Sequence, residues 1–192
     1  MTLEQGRRKV LLLLDEYSNG GALTVDEDIN HKMNDFFDIA QKDMAQWQPI
    51  VRRKTVVLDG SGSQTLGDSV ERVLRVQRNG QRCDAWEVVD GALVYEPGDT
   101  SAVELDYIAV PQTIGPETPG GYVFEVGEAA ANCLPFFVAA QQLVPDLVVD
   151  YGAFYNLYLT LRSAVPRGTR TARGGGVRQR LFAGPGRRRR TG

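Results

Sequence analysis

Apolar residues recur at helical spacing near both ends of the chain and at strand spacing between them. The first helix signal opens at Thr2, which with Gln5 three residues on has the form of a capping box. Leu3, Val10, Leu13, Leu14 and Tyr17 supply an apolar side, and Ser18-Asn19-Gly20-Gly21 ends the segment. Thr24 and Glu27 repeat the capping form, while Asp26 and Asp28 add negative charge at the positive end of the helix dipole. Val25, Ile29, Met33, Phe36, Ala40, Met44 and Trp47 then recur every three or four residues. That spacing predicts an amphipathic helix of about six turns. Pro49 closes it, because the residue before a proline is pushed out of helical conformation.

The period then changes. Thr55-Val56-Val57-Leu58 reads as a strand and Gly60-Ser61-Gly62-Ser63 as a flexible loop. Short runs follow, separated by hairpin dipeptides: Val73 to Gln77 before Asn79-Gly80, Ala85 to Val89 before Asp90-Gly91, and Ala92 to Tyr95 before Pro97-Gly98-Asp99. Asn-Gly and Asp-Gly suit two-residue turns that demand positive φ. Val103 to Ile108 begins with the apolar and polar alternation of a sheet with one solvated face. A small β meander is therefore expected from about Lys54 to Ile114.

Pro111, Pro116, Pro119 and Gly120-Gly121 make a breaker-rich return. Helical signals resume at Glu128-Ala129-Ala130-Ala131 and continue through Leu134, Phe137, Val138 and Leu143. Pro135 means that this helix either kinks there or starts just before it. Pro145-Asp146 reads as the first turn of a final helix with the stripe Leu147, Tyr151, Phe154, Tyr158 and Leu161, flanked by Val148, Tyr155 and Leu159 and stopped by Pro166. The expected fold is mainly α: a four-helix bundle core with a small antiparallel β-sheet insertion and a disordered or extended C-terminal arm. Its divisions are N-terminal helices over 1–53, a β insertion over 54–115, C-terminal helices over 120–165 and an arginine-rich arm over 166–192.

Composition sharpens this picture at one place. The chain has 192 residues, 42% hydrophobic and 24% charged, which is ordinary for a globular domain. No run approaches the roughly 18 apolar residues of a membrane helix, and Val10 to Leu14 lacks the cleavage site of a secretory signal, so a cytoplasmic origin is expected. The net charge of −2 conceals a segregation. After Pro166 come Arg167, Arg170, Arg173, Arg178, Arg180 and Arg187 to Arg190, with no acid. The rest holds 13 basic against 24 acidic residues, a net of −11. A cationic segment whose only sizeable apolar side chains are Val177, Leu181 and Phe182 is expected to be disordered alone and to seek a negative surface.

Catalytic motifs are missing. Gly60 to Gly67 is glycine-rich but lacks the phosphate-binding lysine. No Gly-x-Ser-x-Gly elbow occurs, and His31 is the only histidine. It reads as a partly solvated helix residue. Two cysteines, Cys83 and Cys133, fit reduced thiols, and no metal or cofactor is expected. Asp26, Glu27 and Asp28 are explained by the helix start; Asp84, Glu87, Glu104 and Asp106 by the wet face of a sheet. Trp47, Trp86 and the Tyr151–Tyr158 aromatic stripe read as packing. No enzyme is expected.

The order of elements resembles the head-to-tail adaptor, or connector, proteins of tailed bacteriophages. The likeness is carried by Gly20-Gly21-Ala22-Leu23-Thr24-Val25-Asp26-Glu27-Asp28-Ile29-Asn30 entering the long helix, by the β excursion, and by the return through Glu128-Ala129-Ala130-Ala131 and Tyr151-Gly152-Ala153-Phe154-Tyr155. It spans roughly residues 1 to 165 and is one of pattern; Pro135 departs from the family's smooth helix. The resemblance implies a structural virion protein of the neck, assembled in the host cytoplasm. It would form a homo-oligomeric ring, dodecameric in the family, beneath the portal protein after packaging. That ring would extend the DNA channel for genome ejection and dock tail or nozzle proteins, away from any membrane. It also implies a portal-binding arm, here Arg167, Arg170, Arg173, Arg178, Arg180, Leu181, Phe182, Arg187, Arg188, Arg189 and Arg190. The rival reading is a nucleic-acid-binding protein acting through the same tail. A cell-wall hydrolase using two carboxylates is a distant third.

Overall fold

The computed structural model describes residues 1–14, 27–143 and 151–168. Their elements run α1 (Leu3–Leu13), α2 (Glu27–Trp47), β1 (Ile50–Val57), β2 (Ser63–Thr65), β3 (Val70–Arg78), β4 (Gln81–Arg82), β5 (Glu87–Val89), β6 (Ala92–Val94), β7 (Ala102–Ala109), α3 (Glu128–Ala131), α4 (Leu134–Leu143) and α5 (Tyr151–Ala164).

The expectation of a mainly α chain with a small β insertion is overturned. The fold is mixed α/β, with a four-stranded sheet of order β1-β7-β3-β4 and a three-stranded sheet of order β2-β6-β5, both antiparallel. Nor is the region a plain meander, since β1 pairs along its whole length with β7, from Ile50 opposite Ala109 to Val57 opposite Ala102. The sheets share their own core: Val73, Val76, Val103, Leu105, Tyr107 and Ala109 from one pack with Leu93 of the other and with Tyr95 just beyond it. The short runs look like an appendage in sequence because half their positions face water. Stacked as two layers, the other half make a second core of the kind a sandwich builds.

The first core lies among the helices, and Ile50 touches both. The capping box of α1 is present: Gln5 N–H donates to Thr2 Oγ1 at 3.3 Å and Thr2 N–H to Gln5 Oε1 at 2.9 Å. The start of α2 at Thr24 lies outside the described residues. Its buried face centres on Met33, Phe37, Ala40 and Met44, all fully buried, so at mid-helix Phe37 takes the place the sequence stripe gives Phe36. Phe37 stacks against Phe124 at 5.2 Å between ring centroids, over the glycine of α1. A Cβ on Gly6 would lie 2.9 Å from Phe37 Cζ, so the close approach of the two helices depends on that residue.

Two polar side chains, Asn34 and Gln41, are also fully buried on α2. They hold the breaker-rich return against the helix. Asn34 Nδ2 donates to Gly115 O at 2.9 Å and Gln41 Nε2 to Tyr122 Oη at 3.0 Å, while Glu125 N–H donates to Gln41 Oε1 at 3.0 Å. Pro135 sits in the first turn of α4, where a missing N–H is harmless, and α3 ends at Ala131. The Pro145-Asp146 turn with Leu147 and Val148 lies outside the described residues; α5 begins at Tyr151 and ends before Pro166.

The hairpins are as the dipeptides predict. Asn79 and Gly80 have φ of 50° and 75°, and Asp90 and Gly91 of 48° and 75°, so both are two-residue turns with positive φ at both positions. The segment from Gly60 to Ser63, in contrast, is not a free loop. Gly98 N–H donates to Gly60 O, Tyr95 N–H to Gly62 O, and the Tyr95 hydroxyl to Asp59 Oδ1 at 2.6 Å.

Candidate functional site: the root of the arginine-rich arm

Of the predicted arm residues only Arg167 is described; Arg170, Arg173, Arg178, Arg180, Leu181, Phe182 and Arg187 to Arg190 lie outside the described residues. The described part of the arm ends in a clamp. Trp47, the last residue of α2, presents its half-buried ring to two guanidinium groups, with Arg162 Cζ 4.8 Å and Arg167 Cζ 3.8 Å from its centroid. Its indole N–H donates to Val165 O at 3.0 Å, tying the end of α5 to the end of α2. Gly168 then closes on Pro49: a Cβ there would stand 2.7 Å from Pro49 Cδ, so a larger residue would displace the chain.

The clamp is anchored one turn deeper. Tyr158 is buried on α5, and its hydroxyl donates to Asp43 Oδ2 at 2.5 Å. Arg162 Nη2 pairs with the other oxygen of Asp43 at 3.2 Å. Burial, and then the Asp43 carboxylate, drive the phenol far above its ordinary pKa, so it stays a donor throughout the working pH range. Each exposed cation–π contact is worth roughly 0.5–1 kcal/mol. Together with the indole hydrogen bond, two of them hold the described end of the chain against α2. Arg167 remains exposed, so part of its guanidinium fork is open to a carboxylate or phosphate.

Three of the four predicted wet-face carboxylates, Asp84, Glu104 and Asp106, behave as ion-pair partners. Asp106 bridges Arg53 at 2.7 Å and Arg75 at 2.5 Å across three strands, and those hydrogen bonds, Arg53's first, hold its carboxyl below the usual range. Glu104 lies 3.8 Å from Arg53, and Asp84 pairs with Arg82 at 2.7 Å. His31 is half-buried on α2, and among the described residues no group of three histidines, cysteines or carboxylates could hold a metal. No described helix is long and apolar enough to cross a membrane. Cys83 and Cys133 are free thiols, and burial raises that of Cys133.

Trp47, expected as packing, also takes part in the clamp, which the sequence does not reveal. The only signal was an aromatic residue just before Pro49 and an arginine just after Pro166. Nothing in the sequence links two positions so far apart. Comparison with known proteins finds no matching family model and no related curated protein.

Proposed function

We propose that this chain is a structural virion protein, a head-to-tail adaptor that forms a ring beneath the portal, extends the DNA channel and docks the tail. The observation that carries the reading is the clamp at Trp47. A body with a net charge of −11 holds the first residues of a nine-arginine segment in a fixed place, an economical way to present a cationic arm to an acidic partner. The role is non-catalytic: the arm captures the portal by pairing guanidinium forks with carboxylates, and the acidic body lets DNA slide without sticking. Capture through the arm would make assembly conditional on the portal.

The test is electron microscopy of the chain mixed with the portal of its phage. A ring capping the portal, lost on deletion of residues 169–192, supports the reading. Absence of any portal association sinks it. The nine arginines also favour a second reading, sequence-independent nucleic-acid binding. It requires DNA affinity that falls steeply with salt and disappears with the same deletion.

A further inference from the structure

We propose that β1 and β5 are the two halves of a head-to-tail contact between copies of this chain, the open edge of β1 in one copy pairing with the open edge of β5 in the next. The contact deepens the ring reading by naming its surfaces, and rests on that reading only for closure of the ring.

Each strand ends a sheet, and among the described residues neither has a partner on its outer side. The two edges lie on opposite sides of the β layer. Lys54 Nζ, on β1, donates to Leu66 O at 2.6 Å, immediately after β2. That contact puts β1 and β2 on one side, and β5 stands at the far end of the sheet from β2. Leu58 N–H donates to Ser101 O, so by antiparallel alternation the backbone groups of Val51, Arg53, Thr55 and Val57 point to the open side. Val51 and Val57 are 57% and 64% exposed, and Val88 and Val89 on β5 are 40% and 45% exposed.

Charge selects the pairing. β1 carries Arg52, Arg53 and Lys54 in succession, while β5 carries Glu87 and is bounded by Asp84 and Asp90. Arg52 and Arg53 are paired with Glu125 and Asp106, yet their side chains stay 43% and 55% exposed and can share a further acid. Glu87 and Asp90 make no ion pair among the described residues. β1 against β1 would set cations on cations, and β5 against β5 acids on acids. The unlike pair alone matches charge with charge and valine with valine. A contact between opposite sides is heterologous, so it propagates from copy to copy, and it closes as a ring where the rotation between copies allows.

The experiment is sedimentation velocity on the full-length protein over a concentration series. Thr55→Pro removes an outward N–H from β1; Glu87→Lys with Val88→Lys spoils β5. The wild type should associate with rising concentration and less so in high salt, and each variant should stay monomeric. An equimolar mixture of the two variants should form a one-to-one dimer and stop, because one intact edge of each kind remains. Val51→Lys with Val57→Lys keeps every backbone N–H and replaces Thr55→Pro if circular dichroism shows that proline unfolds the chain. A wild type that is monomeric throughout, a variant that associates like the wild type, or folded variants that fail to dimerise on mixing would each overturn the contact. A wild type monomeric alone yet able to cap portals would remove this contact and leave the adaptor reading standing. The mixed dimer without portal capping would do the reverse.

Discussion

Replacing Gln41 by leucine measures what one buried amide contributes to holding the proline-rich return on α2. Leucine is close to glutamine in size, so little cavity is created; what disappears is the set of hydrogen bonds. Glu125 N–H loses its acceptor at 3.0 Å, and Gln112 O and the Tyr122 hydroxyl lose a donor at 3.3 and 3.0 Å. Gln112 is exposed, so water replaces its lost partner. The N–H of Glu125 sits beside a fully buried side chain, and orphaning it costs about 1–3 kcal/mol. The Tyr122 bond adds about 1 kcal/mol, and burial of the leucine returns a similar amount. The expected loss is therefore about 1–3 kcal/mol, or about 2–4 °C in Tm for each kcal/mol at this chain length. Urea unfolding followed by circular dichroism should show a lower midpoint at unchanged slope. Met44→Leu, on the same face with no polar partner, is the control. An unchanged midpoint for Gln41→Leu, or an equal loss for Met44→Leu, would refute a structural role for the Gln41 hydrogen bonds.

Three further outcomes follow from the geometry. Gly6→Val should destabilise by about 2 kcal/mol or more, because its Cβ would meet the ring of Phe37 at 2.9 Å in a filled core; thermal melts check this. Trp47→Ala should free Arg167 and raise the rate of tryptic cleavage after it several-fold, with little change in the cleavage of exposed β-layer sites. The Asp59 carboxyl is held down to about 2 by hydrogen bonds from Ser61 and then from the Tyr95 hydroxyl. Its folded pKa lies below its unfolded value of about 4, so its contribution is present above pH 4 and is lost as pH falls toward 2. Asp59→Asn should accordingly reduce the difference between urea midpoints measured at pH 7 and at pH 2.5; an undiminished difference would show that other carboxylates carry it.

What could be read from the sequence was what depends on neighbours in the chain. The capping box at Thr2 and Gln5, the end of α2 before Pro49 and the two positive-φ turns are all decided within a few residues, and Pro135 narrowed the third helical segment to a kink or a start there. Strand partners are not. The alternation over Val103 to Ile108 says that β7 has a wet and a dry face, but nothing in it selects β1 and β3 as neighbours. Pairing is settled by which registers let the dry residues meet, and that needs both sheets at once. Hence the β region read as a small insertion and not as half of a mixed fold. Asn34 and Gln41 were hidden for a related reason: a polar residue beside an apolar stripe looks solvated until the loop that uses its hydrogen bonds comes into place.

The candidate site divides the same way, and two truncations separate its halves. The segregation of nine arginines beyond Pro166 is a property of composition and was plain, whereas the seat of the first of them on Trp47 is tertiary and was not. A chain ending at Gly168 keeps Arg167 on the indole and the glycine against Pro49, and loses only residues 169–192. A chain ending at Val165 also loses the stacked guanidinium, leaving Trp47 with Arg162 alone, its indole still bonded to Val165 O. If the clamp only anchors the arm, both truncations should fail equally to hold portals, and the shorter should melt lower by about 0.5–1 kcal/mol, the worth of one exposed cation–π contact. If Arg167 itself engages the partner through its open fork, the chain ending at Gly168 should keep a residual, salt-sensitive affinity that the chain ending at Val165 lacks. Equal stability of the two truncations would refute the clamp, because it would mean that Arg167 contributes nothing where it stacks.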